Sequence, residues 1–381
     1  MIDYASQFIT RKDISSINKI LRNKFLTQGP ITLKFENKIS KLCKAKYSVS
    51  VNSASSGLLL ACKVLNLKKN DIVWTTPNTF AATANAALHC QCSIKFIDID
   101  LDTYNISIKE LEKNLIKSKI NNNLPKAIII VHFAGNPVDM IKVYKLSKKY
   151  NFKILEDASH ALGSKYKNSN IGDCKYSDLT VFSFHPIKII TTAEGGMITT
   201  NKKIYYEKLK MLRTNGITRN LTTKSKKNPW YYEQRLLGYN FRMNEIQSGL
   251  GLSQLKNLKK WIKRRNEISS LYINKLKKLP IKLPKVSKHS LSSFHLFVVM
   301  VKNKKIRNKL INYLKLRKIN CNYLYIPLYR QPFYKKNINK KYFNNMELYY
   351  STSLALPIHI KLNNKEINYI VSNINKFFYE K

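Results

Sequence analysis

The run Phe152-Lys153-Ile154-Leu155-Glu156-Asp157-Ala158-Ser159-His160 carries an apolar segment straight into a carboxylate and, three residues later, an imidazole. Phe152–Glu156 has the length and apolar content of a buried strand, which puts Asp157 just past its carboxyl end. Six comparable runs accompany it: Tyr47–Val51, Asp71–Thr76, Ile94–Asp98, Ala127–His132, Leu179–Phe184 and Gly196–Thr200. Amphipathic stretches of helical period separate them. Continuous apolar strands joined in this way predict an α/β fold, with a mostly parallel seven-stranded sheet flanked by helices on both faces.

After Asn240 the texture changes. Residues 244–278 carry Ile246, Leu250, Leu252, Leu255, Leu258 and Ile262 at helical spacing and read as one long helix. Phe294–Val301 reads as a strand, and Asn303–Lys318 and Glu366–Phe378 as helices. The expected organisation is a large domain over residues 1–248, including an N-terminal arm, and a smaller α+β C-terminal domain over residues 249–381.

The chain has 381 residues, and its 68 Lys+Arg against 22 Asp+Glu give a formal net charge of +46. A hydrophobic content of 44% excludes disorder as the dominant state. The first 26 residues lack the apolar core of a signal peptide, and the longest apolar runs, Ala127–Val131 and Leu296–Val301, fall far short of a membrane span. The expectation is a cytoplasmic protein with no membrane partner. Six scattered cysteines, with Cys90-x-Cys92 lacking a second pair at zinc spacing, read as reduced structural thiols, with no metal site. The charge alone would suggest a nucleic-acid binder. Against that, the basic residues are 57 Lys to 11 Arg, they are spread through every segment, and base readout favours Arg. No nucleic-acid partner is expected. A cationic entrance would instead draw in acidic small molecules, less strongly as salt rises.

The strand ends hold a coherent set of groups. In an open parallel sheet, ligands bind where the carboxyl ends of the strands meet the following loops. The first strand leads into Val51-Asn52-Ser53-Ala54-Ser55-Ser56-Gly57, a hydroxyl-rich helix start suited to an anion. The second leads into Thr75-Thr76-Pro77-Asn78-Thr79-Phe80, which brings an aromatic ring to the same crevice. Asp157 and His160 follow the fifth strand. The sixth is followed by His185-Pro186-Ile187-Lys188, a lysine in an apolar setting where desolvation or Schiff-base chemistry can engage its amine. Serines for a phosphate, Phe80 for a ring face, Asp157 for a pyridinium nitrogen and Lys188 for an aldimine are the parts needed to hold pyridoxal 5′-phosphate.

The segments that carry these groups resemble the DegT/DnrJ/EryC1/StrS family of sugar aminotransferases, which are fold-type I pyridoxal-phosphate enzymes. The resemblance rests on Asp98-Ile99-Asp100 with Thr103-Tyr104-Asn105, Val131-His132-Phe133-Ala134-Gly135, Glu156 to Gly163, Phe182 to Lys188, Glu194-Gly195-Gly196 and Gly238 to Glu245. It implies that Lys188 is the catalytic lysine and proton carrier, that Asp157 pairs with the pyridinium and that His160 lies near the cofactor's phenolic oxygen. It also implies that Ser55, Ser56 and Ser183 contact the phosphate, with Asn240 arriving from the neighbouring subunit of a homodimer with shared active sites. His185, Tyr325 and the segment Asn215–Trp230 are the expected sugar contacts. Within the family, Ser183–Gly196 and Gln247–Leu255 look most like the pseudaminic acid branch. That branch uses L-glutamate and a UDP-linked 4-keto-6-deoxy-N-acetylhexosamine in a ping-pong aldimine mechanism. A perosamine- or bacillosamine-type keto sugar is the alternative within the family, and a basic binding protein on an inactive scaffold is the alternative outside it.

Overall fold

Alternation along the strands explains the layers. A computed structural model describes residues 1–218, 228, 230–287, 289–334 and 342–379. Seven strands, β1 (Tyr47–Val51), β2 (Ile72–Thr75), β3 (Ser93–Phe96), β4 (Ala127–Val131), β5 (Lys153–Asp157), β6 (Leu179–Ser183) and β7 (Gly196–Thr200), form one sheet in the order β1-β7-β6-β5-β4-β2-β3. β7 is antiparallel to both neighbours, and the other pairings are parallel. Successive side chains point to opposite faces of a strand. Trp74, Ile128, Ile154 and Phe182 accordingly enter one core, while Val73, Ile129, Leu155 and Val181 enter the other. Both faces are buried, which is why the runs are continuously apolar.

Helices cover both faces. α1 (Arg11–Leu21), α2 (Pro30–Cys43), α3 (Ala54–Val64), α4 (Ala81–Leu88), α5 (Ile108–Ile120), α6 (Met140–Tyr150) and α7 (Lys203–Arg213) belong to this part of the chain. Phe35 and Ile39 of α2, Leu111 of α5 and Val143 of α6 pack on one face, and Leu58 of α3, Ala86 of α4 and Leu209 of α7 on the other.

The expected long helix over residues 244–278 is two helices, α8 (Glu245–Leu255) and α9 (Leu258–Leu276). The break falls where the Lys256 N–H turns back to Ser253 O and Asn257, a poor residue for a helix interior, precedes the new start. α9 then links two cores. Leu258, Trp261 and Ile262 pack beneath the large sheet, whereas Ile268, Tyr272 and Leu276 pack in a second core. That second core is built on the antiparallel strands β8 (Ile281–Lys282), β9 (Phe297–Val301) and β10 (Ser353–Leu356), with helices α10 (Lys304–Leu316) and α12 (Asn364–Tyr379), while Met346 and Tyr349 of α11 (Asn344–Thr352) pack with Val298 and Ala355 in a separate cluster.

The N-terminal residues strap this second part to the first. The Ile2 N–H donates to Lys318 O at 2.7 Å, the Asn320 N–H to Ile2 O at 2.8 Å and the Ile358 N–H to Tyr4 O at 3.0 Å. Further on, Gln254 Nε2 donates to Phe8 O at 3.0 Å and to Asp13 Oδ2 at 2.8 Å.

A remote carboxylate caps α2. Gly29 at its N-cap offers no side chain, and the fully buried Glu245 at the start of α8 fills the role. Glu245 accepts from the Ile31 N–H at 2.8 Å, from the Thr32 N–H at 3.0 Å and from the Thr32 hydroxyl. Stripping these buried donors of their acceptor is expected to cost about 2 kcal/mol or more in Glu245→Ala. Glu245→Gln, which keeps one acceptor, should lose less. Urea unfolding midpoints of the two variants test the order, and an Ala variant as stable as the parent would contradict it.

Candidate active site

The strand register decides where the site lies. Val131 pairs with Asp157 and Asp157 with Val181, while Ser183 and Val51 both pair with Gly196. β1, β4, β5 and β6 therefore end at one edge of the sheet. The segments leaving that edge wall a cavity of about 460 Å³.

Ser55, Phe80, Asp157, His160, Ser183, His185, Lys188 and Tyr325 all line this cavity. Ser56 does not, because it is turned toward the N-cap. Its N–H donates to Ser53 Oγ at 3.1 Å, and the two hydroxyls lie 3.0 Å apart. Asn240 is exposed, bridged through its backbone to Thr214, and stands outside the lining of this chain's own cavity. Of the segment Asn215–Trp230, residues 219–227 and 229 lie outside the described residues.

Asp157 is oriented by its neighbours. Thr83 Oγ1 donates to its Oδ2 at 2.6 Å, and the Ser159 hydroxyl and N–H donate to its Oδ1 at 2.6 and 3.1 Å. Because Thr83 spends its hydrogen on Asp157, Thr79 Oγ1 donates to Thr83 Oγ1 at 2.7 Å. Lys188 reaches the same space from the far side. Among the described residues no hydrogen bond or ion pair holds its amine, and burial lowers its pKa to about 8 against the opposing pull of Asp157.

His160 and Tyr325 form a linked pair. The Ala134 N–H donates to His160 Nδ1 at 3.3 Å. The neutral ring therefore carries its proton on Nε2, which donates to Tyr325 Oη at 3.2 Å. Burial and then the Lys188 charge hold the imidazole well below its usual pKa. Burial and then the Asp157 charge push the Tyr325 phenol up, so that it keeps its hydrogen. Phe80, 62% exposed, stands with its ring 6.2 Å from that of Tyr325.

The serine loop sits close against the sheet. A Cβ on Gly196 would lie 2.7 Å from both Ala54 N and Ser53 O, so only glycine lets β7 pass there. Ser53 caps α3, and no hydrogen bond among the described residues takes the Ala54 or Ser55 N–H. The cavity thus offers free amides and hydroxyls for a phosphate, an oriented carboxylate for a ring nitrogen, an unpaired amine for a carbonyl and an aromatic face. This donor set fits pyridoxal phosphate.

Residues 7–375 match the DegT/DnrJ/EryC1/StrS aminotransferase family. The chain belongs to that family. It is 37% identical over 373 residues to the UDP-4-amino-4,6-dideoxy-N-acetyl-β-L-altrosamine transaminase of Campylobacter jejuni, covering 97% of this chain and 96% of the relative. Helicobacter pylori PseC, an aminotransferase of pseudaminic acid biosynthesis, superposes with a TM-score of 0.89 at 33% identity, with both chains fully covered. A Streptococcus pneumoniae sugar aminotransferase in its PMP form superposes with a TM-score of 0.92 at 27% identity, again with both chains fully covered. This member of the DegT/DnrJ/EryC1/StrS family is therefore a fold-type I, pyridoxal-phosphate-dependent sugar aminotransferase.

Several lining residues of the aminotransferase escape a reading of strand ends. Thr83 lies three residues after Phe80 on α4, and Ser159 two residues after Asp157, spacings that could have revealed them. Leu324 directly precedes Tyr325, whereas Tyr4 lines the cavity from near the start of the sequence, where no local pattern announces it. Among the described residues, no group of three or more His, Cys, Asp or Glu could hold a metal ion, and no helix is long and apolar enough to cross a membrane.

The Lys188 environment makes a pH prediction. Competitive acetylation of the cofactor-free protein, read by mass spectrometry, is expected to show Lys188 half-reactive near pH 8. Exposed lysines should reach that point at about 10.4. A Lys188 midpoint equal to theirs would contradict the desolvated setting.

Proposed function

We propose that the chain moves the amino group of L-glutamate to C4 of a UDP-linked 4-keto-6-deoxy-N-acetylhexosamine, UDP-2-acetamido-2,6-dideoxy-β-L-arabino-hexos-4-ulose, in pseudaminic acid biosynthesis. The observation that carries the reading is that Lys188 and Asp157 face one cavity, the amine unpaired and the carboxylate oriented by Thr83 and Ser159. The likeness to the Campylobacter and Helicobacter enzymes supports the choice of sugar.

Pyridoxal phosphate, when bound, supplies an electron sink conjugated to the carbon that loses or gains the amine. Ser55, Ser183 and the free amides of α3 would hold its phosphate, Phe80 would cover its ring, and Asp157 would hold a proton on the ring nitrogen. Lys188 would bind its aldehyde carbon. An amine with a pKa of about 8 is basic enough to take the α-proton from glutamate and acidic enough to return one on the sugar side. His160 fixes the acceptor side of Tyr325 Oη, leaving the phenol hydrogen for a substrate oxygen. His185, exposed on the cavity wall, stands where an acidic substrate enters. The exposed Asn240 would reach the phosphate of a second copy, making a homodimer part of each site.

Incubation with L-glutamate and a panel of UDP-, GDP- and dTDP-linked 4-keto sugars should yield an amine only, or overwhelmingly, from the UDP-linked substrate, with C4 stereochemistry read by NMR. Preference for a GDP or dTDP sugar would overturn the substrate. Lys188→Ala should lower turnover by about 10²–10⁴-fold or more and remove the visible absorption of the lysine-bound cofactor. Parental turnover in that variant would sink the assignment of the lysine.

A further inference from the structure

A second cavity, of about 670 Å³, lies where the C-terminal end of α2, the hairpin around Lys165–Asn170 and the first turns of α9 meet. It shares no lining residue with the active site. Its floor is aliphatic: Leu258, Ile262 and Ile171 are buried beneath it, and Leu42 and Leu291 form its sides. Gly163 allows that packing, since its φ is +78° and a Cβ there would lie 2.3 Å from Ile262 Cδ1.

The rim has the opposite chemistry. Lys41, Lys165, Lys259 and Lys263 surround the opening, and all four are exposed. No carboxylate lines the cavity; the surface ion pair nearest in sequence to its lining residues among the described residues, Arg264–Glu267, flanks Lys263 on α9 and leaves the four rim lysines without a carboxylate partner. Four ammonium groups above an aliphatic floor form a site for a molecule with an anionic head and an apolar body. The polar groups inside narrow the choice further. Asn170 Nδ2 already donates to Leu42 O, and Asn266 Nδ2 to Ile262 O and Ser292 O. The wall contains no aromatic ring, so nothing there stacks on or reads a nucleobase. Lysine binds phosphate as a point charge and needs no planar partner.

We propose that this cavity is a second, non-catalytic binding site for an alkyl phosphate, its chain on the Leu258–Ile262 floor and its phosphate among the four lysines. The size is that of pockets for drug-sized ligands. The Leu291 strand pairs with the hairpin through Lys165, and Ile171, Leu258 and Ile262 belong to the core under the large sheet, so a bound chain would rest on that core.

Calorimetric titration of the holoenzyme tests the site with four probes: decyl phosphate, decyltrimethylammonium, inorganic phosphate and UDP. Decyl phosphate is expected to bind at least tenfold more tightly than decyltrimethylammonium or inorganic phosphate, and with an affinity that saturating UDP leaves unchanged. The charge-reversed Lys259→Glu/Lys263→Glu pair should weaken it at least tenfold, and Leu291→Trp, which fills the cavity and leaves the lysines in place, should do the same. Transaminase turnover in both variants should stay at the parental value and report that they fold. Equal affinity for decyl phosphate and inorganic phosphate, or decyl phosphate binding unchanged in both variants, would overturn the proposal. So would competition between decyl phosphate and UDP for one site.

Discussion

Asp157 ends β5 in register with Val131 on one side and Val181 on the other, and the strand-end groups of the active site are placed by that alignment. The parallel ladder fixes which residue is last in each strand, and a one-residue slip would exchange the two faces of the sheet along with the direction of every terminal side chain. The sheet resists such a slip because both faces are filled, with Ile154 and Leu155 committed to opposite cores. The hydroxyls of Thr83 and Ser159 then fix the carboxylate. Sheet register, core packing and site geometry are thus one constraint seen at three scales.

The strands were legible because burial on both faces leaves an unbroken apolar run, and the strand-end residues followed from them. Ser56 shows where that reading stops. A row of hydroxyls at a helix start does not say which one caps the helix, and here Ser53 takes that role and pulls Ser56 back from the cavity. The break between α8 and α9 was hidden by apolar spacing that continues across it. Glu245 was hidden differently, since its partners Ile31 and Thr32 lie more than 200 residues away in sequence, with separations of 214 and 213. Contacts across such distances leave no local periodicity to read.

The net charge of +46 also has a structural side. Asp13, Glu36, Asp98, Glu156, Asp157 and Glu245 are buried among the described residues, against two arginines, Arg265 and Arg307, while Lys188 is only partly covered and the other described lysines lie nearer the surface. These carboxylates work as internal acceptors. Glu156 illustrates it: burial would raise its pKa, yet donors from His132, Ser177 and Thr180 hold it lower. Withdrawing acids into the interior makes the outer surface more cationic than composition alone requires. The lysine-rimmed second cavity is a local expression of that imbalance.

The strap formed by the first residues has a consequence for the order of assembly. Tyr4 lines the active-site cavity, yet its backbone is held by Ile358, and Ile2 is held by Lys318 and Asn320. A ribosome releases the beginning of this chain long before residue 358 exists. The large sheet can close as it is synthesised, whereas the tyrosine edge of the site must wait until residue 358 has been made. Catalytic competence therefore coincides with completion of the C-terminal part, so a truncated translation product could carry Lys188 and Asp157 in place and still lack a finished mouth to its cavity.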